Sequence, residues 1–544
     1  MIKQRLQKIL YKSERGQAII LVAFAIIGLV AMVGLVIDTG ILLIEYGKLK
    51  RGVDAAAVSA AQQYRLSGNV LDKPALENAA YNFLQLNQST DIVSVTVHSC
   101  EDDPSDTFVD ANANGVWDSG ETLTADWNLN GTFDPSQRPE LCNPDPIGHP
   151  NNNRKLVEVV ASKNVYFGFL AVIGITQTTV TASAVGEAAT IDLVLVIDTS
   201  ASMAYETVHV EGTTPVQDAG DDPSVCNLNN SCQPMRAVKD IALDFLDTLY
   251  FPYDRVAVVT MTSQTPGGDR NPRLWLPLNS NKDTVRAAIN GIKVFEPRDC
   301  DGTDAPGTCL NYDGSGVFTG AICQTYQLHL GLADANPSSC PSSNVGGALS
   351  LARTAFTDPS DPDFARLDAF WVVVTLLGGP ANATDSTMTY PFGFCPEYTW
   401  PEIWDGAFCR DKRPSVRHAD TDPLVPYTNP VSGATSDISY YDADDYARDM
   451  ADNLATLTTG EGVTIFTIGL GAQIRSTSTV EAGEDPAGEA LLQYIAECAG
   501  EPGHVCDNPV KVINHGQYFY APNSAALTDI FDRIAKNIAT KISQ

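Results

Sequence analysis

Between Asp110 and Glu121 the chain reads D-A-N-A-N-G-V-W-D-S-G-E, placing Asp110, Asn112, Asn114, Gly115, Asp118 and Glu121 at loop positions one, three, five, six, nine and twelve. Calcium is a hard cation that takes six to eight oxygens, and this spacing wraps them around it. Side chains of the early positions turn inward, the Val116 carbonyl is offered, Gly115 allows the sharp turn and Glu121 binds through both oxygens. The expectation is a Ca²⁺ site over residues 110–121, with an ion-free Asx-rich turn as the alternative. A second loop repeats the start of the pattern with Asp126, Asn128, Asn130, Gly131 and Asp134, but its twelfth position is Gln137. It lacks the bidentate carboxylate and is expected to be weaker. No helical pattern flanks the loops and Cys100 and Cys142 stand close on either side, so the segment reads as a calcium-stiffened extracellular insertion rather than a sensor.

Other patterns must position any further site. From Ile191 onward, near-continuous apolar runs at 191–197, 255–260, 370–377 and 463–468 alternate with helical periodicity in MRAVKDIALDFLDTL, KDTVRAAINGIK, NVGGALSLARTAF, YYDADDYARDMADNLATL and SAALTDIFDRIAKNIATKI. Strands apolar on both faces and separated by helices predict a doubly wound, mostly parallel sheet. Ligands of such sheets sit at the carboxyl ends of the strands. The first of these strands runs directly into Asp198-Thr199-Ser200-Ala201-Ser202.

This D-x-S-x-S at a strand end, with the closing GEALLQYIAECAG and GQYFYAPNSAALTDIFDRIA, resembles von Willebrand factor A (VWA) domains over roughly residues 190–540. The resemblance implies a metal-ion-dependent adhesion site (MIDAS). In it the Ser200 and Ser202 hydroxyls bind a Mg²⁺-sized ion (or Mn²⁺ or Ca²⁺), Asp198 supplies charge through water, and an open position accepts an acidic residue of a partner. The family's second-loop Thr corresponds to Ser343. The third loop departs from the family, because Gly378 replaces the usual Asp; Asp385, in the following loop, is a candidate to compensate. Two stretches near 297–340 and 380–433, rich in Gly, Pro, Asp, aromatics and cysteine, are expected to brace a rim over the strand ends where specificity resides. Tyr390, Phe392, Phe394, Tyr398, Trp400 and Trp404 form either a contact patch there or the insertion's own core.

At the other end of the chain, Gly16–Ile37 is an uncharged run of 22 residues preceded by Lys3, Arg5, Lys8, Lys12 and Arg15. Its length suits an uncleaved transmembrane helix, with a cleaved signal peptide as the alternative, and the basic flank places the N-terminus in the cytoplasm. The helical pattern continues past Asp38 into the Ala-rich stretch near residue 60. Arg15-Gly16-Gln17-Ala18, Val36-Ile37-Asp38-Thr39-Gly40 and Asp54-Ala55-Ala56-Ala57 resemble the tight-adherence (Tad) pilus-assembly proteins of the TadE/TadG-like kind. Leu21 stands where type IV pilins carry Glu, which argues against polymerisation as a major pilin. Strand-like runs at 92–98, 156–160 and 178–184 with the long helix predict a small pilin-like domain.

The expected fold class is therefore α/β: an N-terminal transmembrane helix and small α+β pilin-like domain, then a doubly wound, mostly parallel VWA (Rossmann-like) sheet with disulfide-braced insertions. The expected parts are a cytoplasmic basic segment (1–15), a transmembrane helix (16–45), a Tad-like domain with the calcium-loop insertion 100–142 (46–188) and a VWA-like domain (189–544). All twelve cysteines follow the apolar run, which reads as disulfides in an oxidising compartment. Cys226 with Cys232, Cys395 with Cys409 and Cys498 with Cys506 are the expected neighbour pairs; zinc is the competing reading, and no C-x-x-C occurs. A formal charge of −31 argues against nucleic acid. No G-x-S-x-G, H-E-x-x-H or phosphate-cradling Gly loop is present, so no catalysis is expected. The predicted function is a membrane-anchored, extracytoplasmic binding protein, a Tad/Flp pilus-associated minor component or adhesin recognising a protein or surface ligand. The alternative is a non-adhesive scaffold for pilus assembly or envelope organisation.

Overall fold

The computed structural model describes residues 2–63, 72–86, 91–99, 107–111, 114, 117–118, 120–125, 133, 155–208, 218–265, 271–296, 298–299, 309–312, 318–321, 343–357, 366, 369–385, 413–428, 435–438, 440–457, 462–477, 480–504, 506 and 514–542. The chain divides into two compact units, Met1–Pro144 with Asn153–Ala188, and Asp145–Asn152 with Ala189–Gln544.

In the first unit a single helix, α1 (Ile2–Gln62), carries the apolar run and the Ala-rich stretch without a break. Its segment from Ile19 is long and apolar enough to cross a membrane. The change of environment along α1 follows the change of residue size. Large apolar side chains from Ile19 to Ile37 are exposed, whereas Leu49, Val53, Ala56, Ala57, Ala60 and Ala61 are fully buried. They face α2 (Lys73–Leu86) and a three-stranded antiparallel sheet of β1 (Ile92–Ser99), β4 (Lys155–Tyr166) and β5 (Gln177–Ala188), with β4 central. Small residues let helix and sheet backbones approach closely: a Cβ on Gly186 of β5 would stand 2.3 Å from the Ala57 carbonyl oxygen. Between β1 and β4 a separate hairpin pairs β2 (Thr107–Val109) with β3 (Thr122–Ala125). Phe108, Trp117 and Phe133 pack ring against ring beside it, at centroid separations of 5.0–5.4 Å.

The second unit is built on six strands: β6 (Ile191–Ile197), β7 (Arg255–Thr260), β8 (Arg273–Asn279), β12 (Phe370–Leu377), β15 (Val463–Leu470) and β16 (Tyr518–Ala521). They lie in the order β16-β15-β12-β6-β7-β8, parallel except for β8. Peripheral short strands are β9 (Arg298–Asp299), β10 (Cys309–Tyr312) and β11 (Phe318–Ala321) in one small sheet, and β13 (Val425–Thr428) with β14 (Thr435–Ile438) in another.

Helices cover both faces, which is why the strands read as unbroken apolar runs. Val194, Val196, Val373 and Ile465 point to one core with α6 (Val345–Thr357), α7 (Ala443–Ala455) and α8 (Ala487–Glu497). Their neighbours Leu193, Leu195, Val372 and Ile468 point to the other, with α4 (Met235–Leu246), α5 (Lys282–Asn290) and α9 (Leu527–Ile542). Each such side chain contributes roughly 1.5–3 kcal/mol on leaving water. A short helix α3 (Pro223–Cys226) ends in the Cys226–Cys232 disulfide, and Cys498–Cys506 closes the loop after α8. The other expected pair, Cys395 with Cys409, lies outside the described residues.

Candidate metal centre

The strand order turns back between β6 and β12, the first strands of the two halves of the sheet. Such a reversal of strand order marks the position at the carboxyl ends where sheets of this kind take their ligands. The loop after β6 supplies Asp198, Ser200 and Ser202, and the loop after β12 supplies Gly378. Ladder pairing holds the two together, with the Asp198 nitrogen donating to the Leu376 carbonyl at 3.0 Å.

Asp198 is fully buried. Its Oδ1 accepts from the Ser200 nitrogen and its Oδ2 from the Gly378 nitrogen, both at 2.8 Å. Ser200 Oγ and Ser202 Oγ are 2.9 Å apart, so the two hydroxyls converge beside the carboxylate. The loop is further clamped by Thr199, whose hydroxyl meets that of Thr262 at 2.7 Å and whose carbonyl accepts from the Phe295 nitrogen at 2.7 Å. Burial lifts the Asp198 carboxyl above the usual carboxylate range, and the hydrogen bonds from Gly378 and Ser200 oppose this only in part. A buried carboxylate held by neutral donors alone gains from a nearby cation.

Gly378 occupies the position where an acid is expected in this loop type. A Cβ there would stand 3.2 Å from Met203 Sδ and 3.5 Å from both Asp198 Oδ2 and Ser202 Oγ. The position therefore faces the Asp198 carboxylate and the Ser202 hydroxyl, and glycine places no side chain there. Ser343 is buried at the start of α6, but its nitrogen donates to Asn382 Oδ1 at 2.9 Å and its carbonyl accepts from the Asn382 nitrogen at 3.1 Å. Asp385, the candidate to compensate for Gly378, is engaged elsewhere. Its Oδ1 accepts from Asn344 Nδ2 and its Oδ2 from Tyr446 OH, each at 2.8 Å. Asn344 also caps α6 by accepting from the Gly347 nitrogen at 2.9 Å. Neither Asn382 nor Asn344 is recognisable in the sequence, since an asparagine in a polar loop carries no spacing signal of its own. The side chains that come together here are the Asp198 carboxylate and the Ser200 and Ser202 hydroxyls, with glycine and not an acid at position 378.

In the first unit, residues 110–121 lie between the two strands of the β2–β3 hairpin, and among the described residues strands rather than helices flank them. Glu121 organises it: Oε1 accepts from the Ala111 nitrogen at 2.9 Å and Oε2 from the Asp118 nitrogen at 3.0 Å. Asp110 Oδ1 accepts from the Asn114 nitrogen at 3.1 Å, and Asn114 Nδ2 donates to Asp118 Oδ2 at 2.7 Å. Asp110, Asn114, Asp118 and Glu121 are thus interlinked around one loop, through hydrogen bonds of the chain's own donors. Asn112 and Val116, and the second loop's Asp126, Asn128, Asn130 and Asp134, lie outside the described residues. Among the described residues no group of three or more His, Cys, Asp or Glu side chains is arranged to hold a metal ion. Any ion at either loop therefore depends on hydroxyl, amide, carbonyl and water oxygens in addition.

Residues 193–307 match the von Willebrand factor type A domain family, so a domain of this class begins at β6 and includes the D-x-S-x-S loop. No curated protein matches the chain in sequence. Among solved structures it is similar to the PilB minor pilin from Streptococcus sanguinis, at 14% identity and TM-score 0.32, over 72% of this chain and 76% of that one. It is also similar to the vWF domain of the type V pili tip protein Mfa5 from Porphyromonas gingivalis, at 15% identity and TM-score 0.31, over 66% of this chain and 97% of that one. A third is proximal thread matrix protein 1 from the mussel byssus, with a zinc-occupied MIDAS motif, at 14% identity and TM-score 0.29. The match covers 65% of this chain and 46% of that protein.

Proposed function

We propose that this chain is a membrane-anchored, extracytoplasmic binding protein of adhesin type, a minor component associated with a Tad/Flp-like pilus, and not an enzyme. The observation that carries the reading is the buried Asp198 beside the paired hydroxyls of Ser200 and Ser202, at the switch point of a VWA-class sheet. Ser200, Ser202 and, on the α6 side, Ser343 would hold a Mg²⁺ or Mn²⁺ ion, with Asp198 supplying charge. The ion's open position would take a carboxylate of the ligand. The insertions beside these loops would supply specificity. The loop 110–121 would bind Ca²⁺ and stiffen the membrane-proximal unit.

Calorimetric titration of the detergent-solubilised full chain with Mg²⁺ and Mn²⁺ tests the central claim. Saturable binding lost in Asp198→Ala and in Ser200→Ala, with thermal unfolding in chelator otherwise retained, is expected. Equal binding by native and variant proteins would exclude this site. Deleting residues 189–544 in a piliated host then separates the roles: attachment lost with pili still made supports adhesion, and pili lost altogether favours the assembly scaffold.

A further inference from the structure

The connection between β4 and β5 is apolar and uncharged, reading Tyr166-Phe-Gly-Phe-Leu-Ala-Val-Ile-Gly-Ile-Thr176 followed by Gln177, with a 3₁₀ turn at Leu170–Ile173. Val172 is 85% and Ile173 72% exposed, and Tyr166, Phe169 and Ile175 are exposed beside them. Core packing explains none of these residues. Their location is fixed by α1. Gly34 and Asp38 are four residues apart, hence on one face of the helix, and both are buried there although the large apolar residues around them are exposed. The Phe169 side chain lies over Gly34, where a Cβ would stand 2.7 Å from the ring. The Asp38 carboxylate accepts from the backbone nitrogens of Gly168, Phe169 and Leu170 at 2.6–3.2 Å.

Asp38 is the first charge after the apolar run, so it marks the polar edge of any bilayer that α1 crosses. Gly34 lies one turn, about 6 Å, inside that edge. Phe169 is therefore held at the depth of the headgroup and acyl-chain boundary, where amphipathic elements bury their apolar faces by about 5–10 Å. Entry into such a layer requires satisfied backbone groups. The nitrogens of Gly168, Phe169 and Leu170 are taken by Asp38, and those of Val172, Gly174 and Ile175 by carbonyls of Phe169, Ala171 and Leu170 at 3.1 Å. We propose that the β4–β5 tip is a second membrane contact: a monotopic wedge in the lipid boundary, stapled to α1 by Asp38 and fixing how far the first unit stands from the membrane.

The proposal rests on α1 being the membrane anchor, and the test separates the two. A photoreactive benzophenone side chain is placed singly at Leu29, Val172 or Val185 of the full chain, reconstituted in phosphatidylethanolamine–phosphatidylglycerol vesicles with alkyne-tagged acyl chains. Val185 is exposed on β5, eight residues or roughly 26 Å along the strand from Gln177. Lipid adducts at 29 and 172 but not at 185 are expected, and Asp38→Ala should reduce the adduct at 172 while leaving that at 29. Adducts at 29 with none at 172, or a protein–protein crosslink from 172 to a second copy, overturn the wedge and leave the anchor standing. Absence of adducts at 29 overturns the anchor itself and the wedge with it.

Discussion

Asp198 Oδ2 accepts a 2.8 Å hydrogen bond from the backbone nitrogen of Gly378, and the Cβ that Gly378 lacks would point at the same oxygen from 3.5 Å. An aspartate at 378 would thus enter the cradle that Asp198, Ser200 and Ser202 already line. Only the flexible Met203 side chain, at 3.2 Å, must yield to it. Gly378→Asp should tighten Mg²⁺ or Mn²⁺ binding by about tenfold, because affinity rises with ligand charge. In chelator the same variant should unfold at a lower temperature than the native protein, since two carboxylates then face each other without a cation. Unchanged affinity in calorimetry would show that residue 378 does not face the ion.

Much of this arrangement was legible in the sequence, and the reasons differ by element. Strands β6, β12 and β15 were visible because burial on both faces removes polar alternation, and the D-x-S-x-S was visible because all its donors lie within five residues. The antiparallel edge strand β8 carries no such signal: its run Leu274–Leu278 is short and is interrupted by Pro277, a residue that reads against a central strand. The engagement of Asp385 by Asn344 and Tyr446 spans 41 and 61 residues, and contacts at such separations leave no local pattern. Helices beside the 110–121 loop were not expected, but neither was its place as the connection of a hairpin, since β2 is only three residues long.

The same limit hid the buried ionic cluster at the opposite end of β6. Asp192 accepts from Arg255 at 2.6 and 2.9 Å and from Arg366 at 2.7 Å, all three side chains being buried. Burial alone would raise the Asp192 pKa, but the Arg255 hydrogen bond and the charges of Arg366 and Arg255 outweigh it and hold the carboxyl below its ordinary value. A carboxylate with a depressed folded-state pKa contributes stability that is complete above its unfolded value of about 3.9 and is lost as pH falls below that toward the folded value. Asp192→Asn should therefore cost about 3–5 kcal/mol at neutral pH, by stranding two buried guanidinium groups. It should also flatten the loss of stability below about pH 4. Denaturant titrations of the second unit at pH 7 and pH 3 measure both effects; a neutral-pH cost of about 1 kcal/mol or less would mean the cluster behaves as a solvated pair.

Glu121 binds two backbone nitrogens across the 110–121 loop, ten and three residues away, so it closes the loop with or without an ion. Glu121→Gln keeps one acceptor oxygen but removes the charge and the second carboxylate ligand. Calcium at 100 times its dissociation constant should stabilise the native loop by roughly 2.7 kcal/mol. Proteolysis between residues 107 and 125 should accordingly slow with millimolar Ca²⁺ in the native chain and not in the variant. Equal cleavage with Ca²⁺ and with chelator would leave an Asx-rich turn held by hydrogen bonds alone.

Gly186 sets the closest approach of β5 to α1. Unlike Gly378, whose nearest neighbours are side chains, Gly186 faces backbone: a Cβ would meet the Ala57 carbonyl oxygen at 2.3 Å, its carbon at 2.4 Å and the Val58 nitrogen at 2.8 Å. No rotamer change relieves such contacts, so the helix must move off the sheet and loosen the packing of Ala56, Ala57, Ala60 and Ala61. Gly186→Ala should cost about 1–3 kcal/mol, the range for overpacking a close-packed core. Hydrogen exchange should localise the loss to β4, β5 and residues 49–61 of α1, while divalent-ion binding in the second unit stays unchanged. Native-like protection of β5 in the variant would show that helix and sheet are not in backbone contact at this point.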